Sequence, residues 1–366
     1  MKNTYGTSLA VTIFGESHGD YIGAVIDGLA PGIKIDREYI DKKLLLRRPF
    51  GSISTARVEQ DDYSIVSGVF EGYTTGTPIT ILIKNENTKS KDYSKQKDLP
   101  RPSHADFSAN CKYHGFQDYR GGGHFSGRVT AALVAAGAII ESALEKSGIK
   151  IGTHISKLHG IKDRDFSDYA ADIEYLSKKK FPVLSEESEA RMTQEIKSAH
   201  TAGDSVGGVL ESVIIGVPEG VGEPWFDSAE SMISHILFSI GGIKGIEFGD
   251  GFALADMLGS EANDPITVQG GKIVTKTNRN GGINGGITNG MPLTVRCAVK
   301  PTPSIYKEQD TVSLSEKTDK KLTIQGRHDP AIIHRVRAVV DAALAIAIAD
   351  MLTLRFGTDF LAKSKQ

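Results

Sequence analysis

The chain has 366 residues, and its 43 basic and 45 acidic residues leave a formal net charge of −2. This balance argues against a protein that its overall charge would draw to nucleic acid or to a membrane. Only two cysteines occur, Cys111 and Cys297, and neither lies in a zinc-ligand spacing, so we expect reduced thiols and no metal site. The N-terminus has no stretch typical of a signal peptide, and we expect a cytoplasmic protein.

The number of glycines and their clustering along the chain are unusual. The 40 glycines are concentrated in runs at 121–123, 241–242 and 280–290. Tight turns alone would spread glycine more evenly along the chain. Runs of glycine are typical of backbone that approaches a ligand closely, or whose N–H groups surround an anion.

In the first third of the chain, β-branched runs predict strands at 9–14, 22–26, 65–70 and 79–83. Asp36 is predicted to cap a helix that ends at Arg48, because Pro49 follows. The polar stretch 85–120 has few periodic apolar positions. So long a stretch without an element is typical of a functional loop.

The rest of the chain mixes both kinds of element: helices at 126–147, 185–200, 226–239 and 329–355, strands at 150–155, 206–217 and 293–299. The last helix is predicted to begin with Asp329 as N-cap and Pro330 at its first position. The helices that follow Ser126 and Asp329 are apolar nearly all round, which indicates burial. We therefore expect an α+β fold, a single large domain over 1–366 with buried helices sandwiched between β-sheets.

The first candidate cluster is GESHG, directly after the first predicted strand. Its flanking glycines let the backbone turn sharply and present Ser17 and His18 at the end of the strand. His18 is a candidate general acid, because imidazole titrates near neutral pH. Ser17 as a nucleophile is the competing interpretation, and a turn histidine with ordinary hydrogen bonds is the plain one.

The second cluster is RPSHAD, inside the irregular stretch. Arg101 offers two parallel donors to a carboxylate or a phosphate, and His104 can protonate a departing phosphate. The plain alternative is a solvated loop in which Asp106 contacts His104 locally.

The third cluster is YRGGGHFSGR, in which three glycines run into the N-terminus of a predicted helix. Unpaired N–H groups and the helix dipole favour an anion there, and Arg120 and Arg128 add positive charge. The pattern is neither a Walker loop nor a dinucleotide fingerprint. The plain alternative is a glycine turn that only leads into a core helix.

Three further stretches carry cations. GRHDP precedes the last helix and is followed by Arg335 and Arg337; Asp329 within it is an N-cap, a catalytic carboxylate, or both. KPTPSI, at 300–305, ends a strand with a stiff turn, and arginines crowd at Arg47, Arg48 and Arg57. Turns rich in Arg, His and Lys in an otherwise neutral protein are what multiply anionic ligands require.

These stretches, in this order, resemble the signature motifs of the chorismate synthase family over about residues 5–350. The matching stretches are FGESHG, VFEGYTTGTP, KDYS, RPSHAD, DYRGGG, VPEGVGEPWFD, KGIEFGDGF, NGGINGGITNG and GRHDP. The resemblance implies an FMN-dependent lyase that eliminates phosphate (1,4-anti) from 5-enolpyruvylshikimate 3-phosphate. The product is chorismate, and the reaction is the last common step of the shikimate pathway toward the aromatic amino acids. It also implies reduced FMN as cofactor, NADPH as an indirect reductant, and a homotetramer.

Residue roles follow from the same resemblance. His18 resembles the histidine that acts on reduced flavin, and His104 the one that protonates the departing phosphate. Asp329 resembles the aspartate that works with flavin N5 in removing the ring proton. Ser17 and Ser126 complete the candidate catalytic set.

The resemblance also implies two sets of binding residues. Those for substrate are Arg47, Arg48, Arg101, Arg128 and Arg337, with Arg47 also matching a position associated with NADPH. Those for flavin are His124, Phe125, Ser126, Gly241, Gly242, Gly285, Lys300, Pro301, Thr302, Pro303, Ser304 and Arg327.

One stretch departs from the family pattern. Many members have Arg-Ser-Ser-Ala-Arg after the triple glycine, where this chain has HFSGR. Ser126 and Arg128 are retained, and we interpret the change as a subfamily variation in flavin binding. His124 is then expected either to contact the flavin or to cap the helix.

Two other functions are alternatives to this one. A different FMN-dependent reductase would turn over NAD(P)H with an artificial acceptor, but no Gly-x-Gly-x-x-Gly follows a predicted strand. A non-catalytic anion- or nucleic-acid-binding protein would need a basic surface with interleaved aromatic residues, which the sequence lacks.

Overall fold

The computed structural model describes residues 2–54, 60–86, 97–324, 326 and 328–362. Arg57, Arg327 and the KDYS stretch, which the sequence singled out, lie outside these residues. Two five-stranded antiparallel sheets dominate the described chain. One is built from the first quarter of the chain and the other from its middle and later parts.

The first sheet has the strand order β1-β2-β3-β7-β4. A small hairpin, β5-β6, lies between β4 and β7 in the chain. The strands are β1 (Thr4–Tyr5), β2 (Ala10–Gly15), β3 (Tyr21–Asp27), β4 (Tyr63–Ser67), β5 (Val69–Phe70), β6 (Tyr73–Thr74) and β7 (Ile79–Lys84). Gly15 pairs with Ile22, and Tyr21 pairs with Lys84. The loops that follow β2 and β7 therefore leave the same end of the sheet.

The second sheet has the order β11-β16-β10-β8-β9; two small hairpins, β12-β13 and β14-β15, lie between β11 and β16 in sequence, and a third, β17-β18, follows β16. The strands are β8 (Lys150–Leu158), β9 (Ile161–Lys162), β10 (Gly208–Ile215), β11 (Ile243–Phe248), β12 (Ile266–Gln269), β13 (Lys272–Thr275), β14 (Ile283–Asn284), β15 (Ile287–Thr288), β16 (Leu293–Val299), β17 (Gln309–Ser313) and β18 (Thr318–Leu322). β10 lies at the centre and pairs with β8 on one side and β16 on the other.

The helices form the middle layer and part of the outside. They are α1 (Arg37–Arg47), α2 (Asp106–Tyr113), α3 (Thr130–Lys146), α4 (Tyr169–Leu176), α5 (Glu186–Thr201), α6 (Ala229–Leu237), α7 (Gly259–Ala262) and α8 (Ile333–Phe356). α3 packs on β3 and β7 of the first sheet, whereas α8 packs on β8 and β10 of the second. The two helices also pack on each other, so buried helices lie between two sheets and the predicted α+β sandwich is confirmed.

Close contact between α3 and α8 depends on small residues. A Cβ atom added to Gly137 of α3 would lie 2.4 Å from the Cβ of Ala342 on α8. The segment 127–146 is long and apolar enough to cross a membrane, but 89% of its most apolar window is buried in the protein. It is the core helix that the sequence predicted, with an apolar surface on all sides because both sides are covered.

Several predicted boundaries hold and others do not. Asp36 caps α1, since its carboxylate accepts from the Tyr39 N–H at 3.0 Å. The predicted start of the last helix is wrong: α8 begins at Ile333, and Asp329 is not its N-cap. The stretch 85–120 contains α2, and the charged segment 160–200 contains α4 besides the expected α5.

Candidate active site

The triple-glycine turn before α3 lies between the two candidate catalytic histidines. Gly121, Gly122 and Gly123 all have positive φ angles of 58°, 85° and 54°. A Cβ on Gly121 would lie 2.4 Å from Cε1 of His18, and one on Gly122 would lie 3.3 Å from Cε1 of His104. Any larger residue would displace a histidine, so the turn requires glycine for space as well as for conformation.

The GESHG loop is fastened to this turn by backbone hydrogen bonds. The Ser17 N–H donates to the Gly123 carbonyl at 3.0 Å, and the His124 Nδ1 donates to the Gly15 carbonyl at 2.7 Å. Ser17 and His18 are buried as a result. His124 therefore holds the loop to the turn and does not cap a helix.

Asn85, which follows β7, holds the same loop from the other side. Its side-chain amide donates to the carbonyls of Glu16 at 2.9 Å and Gly19 at 2.8 Å. Its oxygen accepts from Nε of Arg128 at 2.9 Å. One amide thus connects the histidine loop with an arginine predicted to bind substrate.

The RPSHAD loop carries a three-residue network. Arg101 donates to both oxygens of Asp106, with Nε at 2.8 Å from Oδ2 and Nη2 at 2.9 Å from Oδ1. Nδ1 of His104 lies 2.6 Å from Asp106 Oδ1. Burial raises the pKa of Asp106, but the hydrogen bonds from Arg101 and His104 outweigh it and hold that pKa well below its ordinary value.

Three of the five predicted substrate arginines converge on one carboxylate. Asp61, whose side chain is fully buried, forms ion pairs with Arg128, with Arg47 at 3.3 Å and with Arg48 at 3.8 Å. Arg128 also donates to the Lys84 carbonyl at 3.1 Å. Guanidinium groups bind carboxylates and phosphates through parallel N–H donors, so this cluster is a candidate site for an anion.

The sequence did not reveal Asp61 or Asn85. Asp61 stands beside Asp62 in a polar turn, and Asn85 follows a strand. Neither has a flanking glycine, proline or histidine that would mark it. Their importance arises only from the three-dimensional meeting of segments that lie far apart in the chain.

The start of α8 is joined to the arginine cluster. Asp329 forms an ion pair with Arg335, and Nε of Arg335 donates to the Arg47 carbonyl at 2.9 Å. The Asp329 carboxylate is therefore held by an arginine that also fixes the end of α1. Ser126, by contrast, is the N-cap of the 3-10 turn Gly127–Val129 that leads into α3, since its oxygen accepts from the Arg128 N–H at 3.3 Å.

The turn at 300–304 reaches the RPSHAD loop. Nζ of Lys300 donates to the Ser103 carbonyl, and the Lys300 N–H donates to the Gly242 carbonyl at 2.9 Å. A Cβ on Gly242 would lie 3.3 Å from Cδ1 of Ile332, just before α8. The Thr302 carbonyl accepts from Ser205 Oγ at 2.7 Å. Pro301 is exposed, Pro303 is half-buried and Ser304 is buried within this turn.

Two predicted positions, Gly285 and Arg337, stand apart from these contacts, whereas Phe125 lines a cavity with Arg101 and Gly122. Gly285 is exposed at the turn of the β14–β15 hairpin, and Phe125 is 43% exposed with its ring edge against Tyr113. Arg337 is buried inside α8, where Nη2 donates to the carbonyls of Leu176 at 3.3 Å and Lys179 at 2.6 Å. Its guanidinium holds the end of α4 and does not join the arginine cluster.

Comparison with known proteins agrees with this geometry. The family model for chorismate synthase matches residues 9–353. Chorismate synthases from Pyrococcus abyssi and Chitinophaga pinensis are 45% and 46% identical, each covering 96% of this chain and 97% of the relative. A crystal structure of chorismate synthase superposes with a TM-score of 0.76 at 29% identity, covering 96% of this chain and 94% of that one. The chain belongs to the chorismate synthase family of lyases.

Proposed function

We propose that the protein catalyses the FMN-dependent 1,4-anti elimination of phosphate from 5-enolpyruvylshikimate 3-phosphate, giving chorismate. The observation that carries the proposal is the meeting of His18 and His104 at the same triple-glycine turn, beside the arginine cluster. Two proton-transfer groups and a set of cations on one buried surface are what a phosphate elimination needs.

The arginines account for the substrate's charges. The substrate carries two carboxylates and a phosphate, and the guanidinium groups of Arg47, Arg48 and Arg128 meet at Asp61. Arg101 adds a fourth cation next to His104. We assign these arginines to substrate binding and to stabilisation of the charge that grows on the leaving phosphate.

Buried polar atoms fit a bound flavin. Ser17 Oγ and Thr302 Oγ1 are buried and have no hydrogen-bond partner among the described residues. Buried polar atoms without a partner are rare in a folded protein unless a ligand or a water molecule forms a hydrogen bond with them. We assign Ser17, Thr302, Gly242 and Lys300 to the binding of FMN. Reduced FMN, when bound, supplies the electron density that weakens the bond to the departing phosphate.

The protein's own side chains then perform the acid–base steps. Nε2 of His104 faces Gly122, and we propose that it delivers a proton to the departing phosphate. His18, buried against Gly121, would hold a proton on the side of the site assigned to the flavin. Asp329, which forms an ion pair with Arg335, assists the removal of the proton from the substrate ring. Burial of the histidine loop under the triple-glycine turn limits access of water.

An anaerobic assay tests this proposal. Purified protein, photoreduced FMN and 5-enolpyruvylshikimate 3-phosphate are mixed, and chorismate absorbance and released phosphate are followed. We expect both products in equal amounts, none with oxidised FMN, and a loss of about 10²–10⁴ in kcat for His104→Ala. Turnover of NAD(P)H with an artificial acceptor but no phosphate release would instead support a reductase.

We also propose that the protein is a cytoplasmic homotetramer whose flavin is reduced indirectly by NADPH. The β12–β13 hairpin supports self-association, because Ile266, Val268 and Ile273 are each more than 70% exposed on it. Apolar residues grouped in this way favour a protein partner. Light scattering would measure the mass in solution, and a monomer would contradict this part of the proposal.

A further inference from the structure

We infer that Asp106 is a positioning residue that sets the tautomer of His104, so that Nδ1 carries a hydrogen and Nε2 faces the triple-glycine turn. The tautomer follows from geometry alone, whereas its catalytic consequence rests on the proposed function. Among the described residues, Asp106 is the carboxylate that the structure places within hydrogen-bond distance of this ring.

Hydrogen-bond donors occupy both oxygens of Asp106. Oδ2 accepts from the backbone N–H of Arg101 at 3.0 Å and from its Nε at 2.8 Å. Oδ1 accepts from Arg101 Nη2 at 2.9 Å and lies 2.6 Å from Nδ1 of His104. Because an ionised carboxylate can only accept, Nδ1 must be the donor in this short contact.

The short contact with Asp106 makes the alternative tautomer unfavourable. Arg101 Nη2 lies 3.0 Å from His104 Nδ1, but the 2.6 Å contact between Nδ1 and Asp106 Oδ1 is shorter and requires the hydrogen on Nδ1. An unprotonated Nδ1 would face the Asp106 oxygen with two lone pairs opposed at 2.6 Å. The depressed pKa of Asp106 means that its carboxylate stays ionised across the neutral range, so it does not supply the missing hydrogen itself.

The ring is directed at the turn by this contact. A Cβ on Gly122 would lie 3.5 Å from Nε2 and 3.3 Å from Cε1 of His104. Nε2 therefore faces the region where the proposed substrate binds. With Nδ1 held by Asp106, Nε2 is the nitrogen that gains and donates the catalytic proton.

The loop backbone holds Asp106 in place. Asp106 is the first residue of α2, and the His104 N–H closes a turn onto the Arg101 carbonyl at 3.2 Å. Ser103 between them has a φ of 59°, and Lys300 Nζ donates to its carbonyl. The geometry is thus imposed from outside the histidine and does not depend on the ring.

Replacing Asp106 with Asn is expected to reverse the tautomer. An amide has one accepting oxygen and one donating NH₂ group. In one orientation the amide oxygen occupies the Oδ2 position and accepts from the Nε and the backbone N–H of Arg101. In the other orientation the NH₂ group occupies that position and faces these same two donors, which is unfavourable. The favoured orientation directs the NH₂ group at His104, so Nδ1 accepts and the hydrogen moves to Nε2.

The test combines a spectrum with kinetics. Full-length protein labelled with ¹⁵N-histidine is measured at a pH where the ring is neutral, and the His104 signals are assigned by their loss in His104→Ala. We expect an Nδ1–H tautomer in the wild type and an Nε2–H tautomer in Asp106→Asn. We also expect kcat to fall by about 10² or more with little change in KM.

Asp172→Asn is the matched control. Asp172 also accepts from both terminal nitrogens of an arginine, Arg164, and from the Ser167 N–H at 2.9 Å, but the part of the chain that the structure describes places no histidine in hydrogen-bond contact with it. We expect this variant to leave the His104 tautomer and the kinetic constants unchanged.

The outcomes separate this inference from the proposed function. An Nε2–H tautomer in the wild type, or an unchanged tautomer in Asp106→Asn, would overturn the positioning role whether or not the protein releases phosphate. A reversed tautomer with unchanged kcat would overturn the catalytic importance of Asp106. A reversed tautomer in a protein that releases no phosphate would support the positioning role and refute the proposed function.

Discussion

The carboxylate of Asp61 lies among the guanidinium groups of Arg47, Arg48 and Arg128. Its φ of 55° is in the left-handed region, where asparagine and aspartate are tolerated better than most residues. Asn at this position therefore preserves the backbone while it removes the negative charge. The three arginines would then lose a buried counter-charge that they share.

We expect Asp61→Asn to lower the free energy of unfolding by about 3 kcal/mol, because it removes one partner of a buried group of ion pairs. Inorganic phosphate should restore more stability to the variant than to the wild type, since the anion replaces the lost charge. Urea unfolding with and without phosphate measures both effects. A loss that phosphate does not reduce would show that the arginines are neutralised elsewhere.

At the level of single residues, the sequence marked the histidines and arginines that the structure brings together better than the residues that hold them. Glycine and proline turns marked His18, His104 and Arg128. Asp61 and Asn85 were not marked, because their role is to meet side chains that are distant in sequence. Arg337 was assigned to substrate although its guanidinium is used to hold α4, and only its burial reveals this.

At the level of elements, the contact between α3 and α8 determines the middle layer. Gly137 allows this contact, since an added Cβ would lie 2.4 Å from the Cβ and 2.6 Å from the Cα of Ala342. Neither atom belongs to a flexible side chain that could move aside. The helices would have to separate, and both sheets pack on them.

We expect Gly137→Ala to destabilise the protein by about 1–3 kcal/mol through overpacking, despite the better helix propensity of alanine. Ala342→Gly should recover part of this loss in the double variant, because it removes the opposing methyl group. Denaturant midpoints of the four proteins in the cycle measure the coupling. Strict additivity of the two changes would contradict a direct contact.

Element boundaries were less predictable than the elements themselves. Asp329-Pro330 has the composition of a helix start, yet α8 begins at Ile333 because Arg335 takes the Asp329 carboxylate away from the helix N–H groups. α2 and α4 were missed, since each has eight residues and too few turns for a clear apolar period. The long, uniformly apolar α3 and α8 were predicted readily.

At the level of the whole molecule, two buried histidines make stability depend on pH in opposite directions. Burial lowers the pKa of His334 to about 3, with Ser54 Oγ at 2.8 Å from its Nε2. Burial also acts to lower the pKa of His154, but hydrogen bonds with Asp163 and Glu211 outweigh it and raise that pKa.

The sign for His334 follows from proton binding. Below its ordinary pKa of about 6.5 the unfolded chain binds a proton that the folded chain excludes, so stability falls as pH falls. We expect His334 to contribute a loss of about 1.4 kcal/mol between pH 7.5 and 5.5. His334→Gln should remove this slope in urea unfolding at the two pH values.

His154→Gln is the contrasting variant. The raised pKa of His154 gives stability that is present at low pH and lost as pH rises through the folded pKa. Its replacement should therefore steepen the loss of stability on acidification. The same change of slope in both variants would show that neither histidine titrates as its surroundings indicate.

The order of elements along the chain has a consequence for biosynthesis. α3 is covered on one side by the first sheet, but its other side is covered by α8, the last helix to be made. At 5–20 residues per second, roughly 10–40 s of translation separate the two helices. The nascent chain thus carries an exposed apolar helix for that time, and a ribosome-associated chaperone would find its binding surface there.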